Sequence, residues 1–162
     1  MLETFGQATG EVASIAVLDG SEVVFLARSQ SRRIVSATVS VGTRLPIYCT
    51  STGKVLLAAL ADREIRQILD RLKPVRHTIK TKLRREEWLQ AIREARSRGY
   101  AVSDEEYEMG LRSISVPVYN AAGSVVAAMS ASTQSARMTV EQMVRELLPP
   151  LHRGSRALSQ ML

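Results

Sequence analysis

The chain is predicted to form an α+β domain, a mainly antiparallel curved sheet flanked by helices, and three observations carry that expectation. Runs of period two and runs of helical period succeed one another along 162 residues with no repeat or low-complexity linker, so residues 1–162 read as one domain with a real core. Asp19-Gly20 and Asn120-Ala-Ala-Gly123 each sit between two alternating runs, the mark of a hairpin, and hairpins make antiparallel pairs. Taken in order, the chain reads hairpin, strand, helices, hairpin and terminal helix. Strands and helices are thus grouped instead of alternating one for one.

Each element has its own signals. Leu2–Gly10 is predicted as a short helix ended by Gly10. Glu11–Leu18 and Glu22–Ala27 are apolar-rich strands about Asp19-Gly20, and Arg33–Val41 alternates as a third strand before Gly42 and Pro46 break the pattern. At Thr50, a good N-cap, the period becomes helical, with Val55, Leu56, Ala59 and Leu60 as its apolar stripe. Asp62–Leu72 and Arg84–Arg98 follow as helices, separated by an irregular stretch from Pro74 to Lys82, and Gly99 closes the second of them. Thr139 caps a last helix that Pro149-Pro150 is expected to interrupt, because neither proline can donate a helical hydrogen bond; Leu151–Leu162 then resumes it, with Leu151, Leu158 and Leu162 available for packing.

Composition narrows the function. Hydrophobic residues make up 45% of the chain, and no segment approaches the roughly eighteen apolar residues of a membrane span. Met1-Leu-Glu-Thr-Phe lacks the basic-then-apolar layout of a secretory signal, and a single cysteine excludes an internal disulfide; both suit a cytoplasmic location. Residues 62–98 hold 12 Lys/Arg against 6 Asp/Glu, while the rest of the chain holds 10 of each, so the whole net charge of +6 lies in one helical segment. Trp88 is the only aromatic residue there and the two signs are interleaved, which describes a solvated helical surface better than a nucleic-acid footprint.

The stretch Gly99–Asn120 organises the chain. Ser103 to Glu108 carries four carboxylates in six positions, a density that predicts a surface turn. From Leu111 the period is two. If Tyr119 pairs with Ser124, Ser113 falls opposite Ser130, Leu111 opposite Ser132 and Ile114 opposite Met129. One face is then apolar, with Ile114, Val116, Val118, Val125, Ala127 and Met129. The other gathers Ser113, Ser115, Ser130 and Ser132. Two arrangements produce such a face: a pocket for a polar ligand, and a half-exposed sheet whose serines meet water. The start Thr50-Ser51-Thr52-Gly53 is open in the same way. It is either an ordinary capped helix or an anion site in which unpaired amides, hydroxyls and a glycine meet a ligand.

Gly99, Ser103, Glu106, Ser113-Ile-Ser115 and Val118-Tyr-Asn120 fall at the spacings of the motif that marks the IclR family of bacterial transcription regulators. Thr9-Gly-Glu11, Leu18-Asp-Gly20, Leu45-Pro46, Ser51-Thr-Gly-Lys54, Gly110-Leu-Arg112 and Pro117-Val118 also resemble that family's effector-binding domain. The run Val41–Leu57 is most similar to the branch that senses protocatechuate, 4-hydroxybenzoate or β-ketoadipate. The resemblance implies a GAF-like or PAS-like sensor fold, homodimers or tetramers, and effector contacts at Ser51, Thr52, Ser113, Ser130 and Ser132, with Ile34 as an apolar wall; Gly53 and Ser103 complete the expected effector-binding set. Ser103 stands where a branch that binds small 2-oxo acids has aspartate, and Ser113 where that branch has cysteine. Both departures point to a different carboxylate. The family's winged helix-turn-helix is expected to be absent from residues 1–162, so the chain alone is expected to sense and assemble, and to meet DNA only through that domain.

No catalytic apparatus emerges. Cys49 and His77 lack a third, orienting residue, and one cysteine with His77 and His152 gives no metal-ligand cluster, so neither a cofactor nor a metal is expected. Two other functions stay in view: a small GAF-like enzyme acting on a carboxylate, and a purely structural oligomerisation module.

Overall fold

The computed structural model describes residues 1–30 and 39–162. Its elements are α1 (Leu2–Thr9), β1 (Val12–Asp19), β2 (Glu22–Arg28), β3 (Arg44–Pro46), a 3-10 turn (Ile47–Cys49), α2 (Ser51–Ala58), α3 (Asp62–Asp70), α4 (Arg85–Arg98), β4 (Ala101–Asp104), β5 (Leu111–Tyr119), β6 (Val125–Gln134) and α5 (Val140–Ser159). The strands form one six-stranded sheet in the order β3-β2-β1-β6-β5-β4, antiparallel throughout. The α+β expectation is met, with the curved sheet between two helical layers.

Each face of the sheet has its own core. On one face Ile114, Val116, Val118, Ala127, Met129 and Ala131 pack against Met143, Leu147 and Leu151 of α5 and Phe5 of α1. On the other, Ala16, Val23, Phe25 and Ala128 meet Val55 and Leu56 of α2. A further cluster joins the 3-10 turn to α3 and α4 through Ile47, Tyr48, Leu57, Ile65, Trp88 and Ile92.

Several boundaries differ from expectation, each for a physical reason. The β5–β6 register is two residues away from the one inferred: Ser113 pairs with Ser132, Ser115 with Ser130, Leu111 with Gln134 and Ile114 with Ala131. A bulge between Val118 and Tyr119 adds a residue near the turn, where Asn120 Oδ1 accepts from Ser124 N–H at 2.9 Å. Because side chains alternate with period two, a shift of two keeps every residue beyond the bulge on its expected face. Val125 lies before the bulge and packs instead with the α2-side core.

Residues 33–38 of the expected third strand lie outside the described residues, and 39–41 are not strand; the edge partner of β2 is the short β3. Pro149 and Pro150 do not interrupt α5, which runs through them. The carbonyls deprived of donors belong to Arg145 and Glu146, both exposed and free to hydrate, while Met143, Leu147 and Leu151 on the buried side hold the helix down. Leu162 is exposed and takes no part in that packing.

Candidate functional site

The sheet places small hydroxyls in two adjacent rows on its α2 face. One row crosses four strands as Val12, Ser132, Ser113 and Ser103. The next crosses five as Arg28, Ser14, Ser130, Ser115 and Ala101. Antiparallel pairing brings directly opposed residues to one face, so the rows follow from register alone. Two mutually paired rows of serine leave a shallow polar floor where larger side chains would fill the space.

The start of α2 stands over that floor. Thr50 caps the helix, its Oγ1 accepting from Gly53 N–H at 3.2 Å, and its extended backbone turns the chain out of the 3-10 turn. Ser51 Oγ lies 2.8 Å from Ser113 Oγ and 2.7 Å from Ser115 Oγ, a hydroxyl network that ties the helix start to β5. Ser103 Oγ donates to Cys49 O at 2.9 Å and ties the same start to β4. Between helix and floor lies a cleft with about 560 Å3 of space between atoms, part of it open to solvent. Apolar walls with a few convergent polar groups are the lining expected of a small-molecule site.

Ser51, Thr52, Ser103, Ser113, Ser130 and Ser132 all line this one cleft; of the four serines expected to share a face, Ser113, Ser130 and Ser132 reach it and Ser115 is buried beneath Ser51. Gly53 does not line it. Its N–H is taken by Thr50, and a Cβ there would sit 2.1 Å from Ile47 O, so the glycine admits the backbone of the 3-10 turn. Ile34 lies outside the described residues. Phe25, Leu45, Val12 and Val39 supply apolar lining, and Arg28, Tyr107 and Glu108 add polar groups that sequence reasoning did not single out. Arg28 ends an alternating strand, where a charge reads as solvated; only the row that sets it opposite Ser14 reveals its place. Burial lowers the affinity of its guanidinium for a proton, and its Nη1 donates to Val39 O.

The acidic segment is not the solvated turn that its charge suggests. Glu105 and Glu106 are both buried. Thr78 Oγ1 donates to Glu105 O at 2.7 Å and Thr81 Oγ1 to Glu106 O at 2.7 Å, so residues from the irregular stretch hold the turn from outside. Glu105 has φ of 56°, a left-handed conformation unusual for a side chain with Cβ. Its carboxylate bonds to Lys80 Nζ at 2.6 Å, Ser135 Oγ at 2.6 Å and Gly110 N–H at 3.1 Å. These partners, Lys80 first, hold the carboxyl at about 2.

A lowered folded-state value stabilises the fold above the ordinary glutamate range, and the benefit is lost as pH falls from ~4.3 through the folded value. Wild type is therefore expected to exceed Glu105→Gln in urea midpoint at pH 6 and to lose that lead between pH ~4.3 and ~2. A lead that persists unchanged at pH 2 contradicts the assignment.

A polar cleft between a curved sheet and a helix start gives the domain the form of a small-ligand binder. Cys49 is wholly buried, and that burial pushes its thiol up to about 12. Comparison with known proteins gives the same class. Residues 1–160 match the family model described as bacterial transcriptional regulator IclR C-terminal. The chain belongs to the IclR family of bacterial transcriptional regulators.

The chain is 40% identical to the Pca regulon regulatory protein of Pseudomonas putida, over 99% of this chain and 56% of that protein. It is 32% identical to the Pca operon regulatory protein of Acinetobacter baylyi, over 100% of this chain and 60% of that protein. Among solved structures, a double mutant of the Acinetobacter PobR inducer-binding domain in complex with 3-hydroxybenzoic acid superposes with a TM-score of 0.91 at 32% identity. That match covers 99% of this chain and 94% of the other. These relatives are regulators, and the chain is an effector-binding domain of that kind. It spans little more than half the length of the two curated relatives. Among the described residues, no helix is long and apolar enough to cross a membrane.

Proposed function

We propose that the cleft binds a small organic acid, aromatic or dicarboxylic, with its carboxylate at the start of α2 and the remainder over Ser130 and Ser132. The observation that carries this reading is the convergence of a helix start, two serine rows and Arg28 on one space. The cap uses Gly53 N–H and leaves the Ser51 and Thr52 amides toward the positive end of the helix dipole, which favours an anion. Arg28 adds positive charge across the floor, while Phe25 and Leu45 offer apolar surface to a ring or chain. The 3-hydroxybenzoic acid held by the similar PobR domain supports an aromatic acid.

The signal would pass by differential affinity. An effector that binds one arrangement of a homo-oligomer better than another shifts the population toward it, and attached DNA-binding domains are respaced. Such a domain works in the cytoplasm on a soluble acid and needs no cofactor.

A thermal-shift panel of 3-hydroxybenzoate, 4-hydroxybenzoate, protocatechuate, adipate and pyruvate tests the reading. A ligand present at 100 times its Kd adds about 2.7 kcal/mol, roughly a 5–11 °C rise for a domain of this size. The aromatic acids or adipate are expected to raise the melting temperature and pyruvate is not. A panel in which no acid shifts it at millimolar concentration counts against the proposal. The rival enzyme reading predicts turnover of the acid instead, which the same mixtures analysed by chromatography would show.

A further inference from the structure

Two segments distant in sequence both line the cleft: the start of α2 (Thr50–Thr52) and the turn after β4, which carries Tyr107 and Glu108. Behind both lies an ion pair. Lys54, one residue beyond Gly53 on α2, donates from Nζ to Glu106 Oε1 at 2.7 Å and to Val102 O at 2.8 Å. Both side chains are only 6% exposed. Glu106 immediately precedes Tyr107, and Lys54 lies two residues beyond Thr52, so the pair, itself outside the cleft lining, joins the two segments.

Stability alone does not account for this pair. Removing two charges from water is costly, and a buried pair is often no more stable than apolar side chains of similar volume. Glu106 Oε2 has no hydrogen-bond partner among the described residues, which adds to the cost. Lys82 Nζ, 3.4 Å from Glu106 Oε1, is more exposed and supplements Lys54 without replacing it. What the pair supplies is a fixed distance and direction. An apolar contact slides, whereas an ammonium held by a carboxylate and the Val102 carbonyl has one seat.

We propose that Lys54 and Glu106 are positioning residues for the effector site, holding the first turn of α2 at a set distance from the Tyr107–Glu108 wall. The proposal rests on the reading of the cleft as the effector site, but it has a consequence that needs no ligand. Cys49 ends the 3-10 turn that leads into α2, lines the same cleft, and its carbonyl accepts from Ser103 of β4, the strand that leads into the Tyr107–Glu108 turn. Its side chain is wholly buried, and the chain has no other cysteine. If the two segments separate, this thiol opens to solvent.

The test replaces the pair as a unit, Lys54→Met with Glu106→Leu, and adds Glu106→Gln, which keeps the shape and one acceptor oxygen. Urea unfolding, labelling of Cys49 by a disulfide reagent at pH 8, and calorimetric titration with 3-hydroxybenzoate are measured on each folded variant. The double variant is expected to unfold close to wild type, to label roughly tenfold faster or more, and to bind 3-hydroxybenzoate roughly tenfold more weakly, because geometry is lost while packing is kept. Glu106→Gln leaves the Lys54 ammonium without its counter-charge and is expected to unfold more readily than the double variant, with smaller changes in labelling and affinity in the same direction. Where it folds, those two readings decide the matter alone if the double variant does not fold. Wild-type labelling and wild-type affinity in a stable variant would overturn the proposal. If wild type itself fails to bind 3-hydroxybenzoate, the aromatic-acid reading loses its probe, and the labelling rates still decide the positioning role.

Discussion

Gly53→Ala is expected to destabilise the domain by about 3 kcal/mol or more, the upper end of what overpacking costs. The added Cβ would lie 2.1 Å from Ile47 O, 2.7 Å from its carbonyl carbon and 2.8 Å from its Cα. All three are backbone atoms of the 3-10 turn, and none can swing aside as the end of a flexible side chain would. Relief requires the turn to move away from α2. The turn carries Ile47, Tyr48 and Cys49, each buried in the cluster that joins α2, α3 and α4. For a domain of this size the loss corresponds to a fall of roughly 6–12 °C in melting temperature. Differential scanning calorimetry checks this. A variant that melts within about a degree of wild type would show that the turn and helix are not held as described.

The second large effect concerns binding. Thr52→Asp is expected to reduce affinity for the acid by on the order of 1–3 kcal/mol, roughly tenfold to somewhat over a hundredfold. Thr52 is buried, lines the cleft and belongs to the first turn of α2. An aspartate at that position sets like charge beside the bound carboxylate and competes for the helix-end amides that the anion would use. Circular dichroism first establishes that the variant is folded, and calorimetric titration then measures the affinity. Unchanged affinity in a folded variant removes the helix start from the site and leaves the serine rows and Arg28 to hold the acid.

The two substitutions separate roles that adjacent residues play. Both positions belong to the same four-residue helix start, and the sequence reading groups them as contacts to one ligand. The structure divides them, with Gly53 turned toward the 3-10 turn and Thr52 toward the cleft. Nothing in the local sequence distinguishes a glycine needed for a ligand from one needed for a neighbouring backbone. The distinction depends on where the preceding turn packs.

Faces were more legible than registers. Alternation identified the polar and apolar sides of β5 and β6, and a two-residue slip at the Val118–Tyr119 bulge did not disturb them beyond it. The full serine rows were hidden because they depend on β1 and β4, whose pairing with β6 and β5 no local pattern reveals. Arg28 joins its row through β1 in the same way. The acidic segment shows the opposite failure. Its charge density suggests hydration, yet Lys54, Lys80, Thr78 and Thr81 arrive from distant parts of the chain to pair it. Burial of charge is decided by partners, and partners 25 to 52 residues away are not visible in a local reading. Proline in α5 is a related case, since its cost depends on whether the orphaned carbonyls face water.

One acid is expected to occupy the space between the start of α2 and the serine rows. A crystal structure of the domain grown with 3-hydroxybenzoate tests it most directly. Ligand density is expected in this cleft, with carboxylate oxygens about 2.7–3.2 Å from donors of Ser51 or Thr52 and the ring over Ser130 and Ser132. A ligand seated elsewhere on the domain, with the cleft closed by its own side chains, would contradict it.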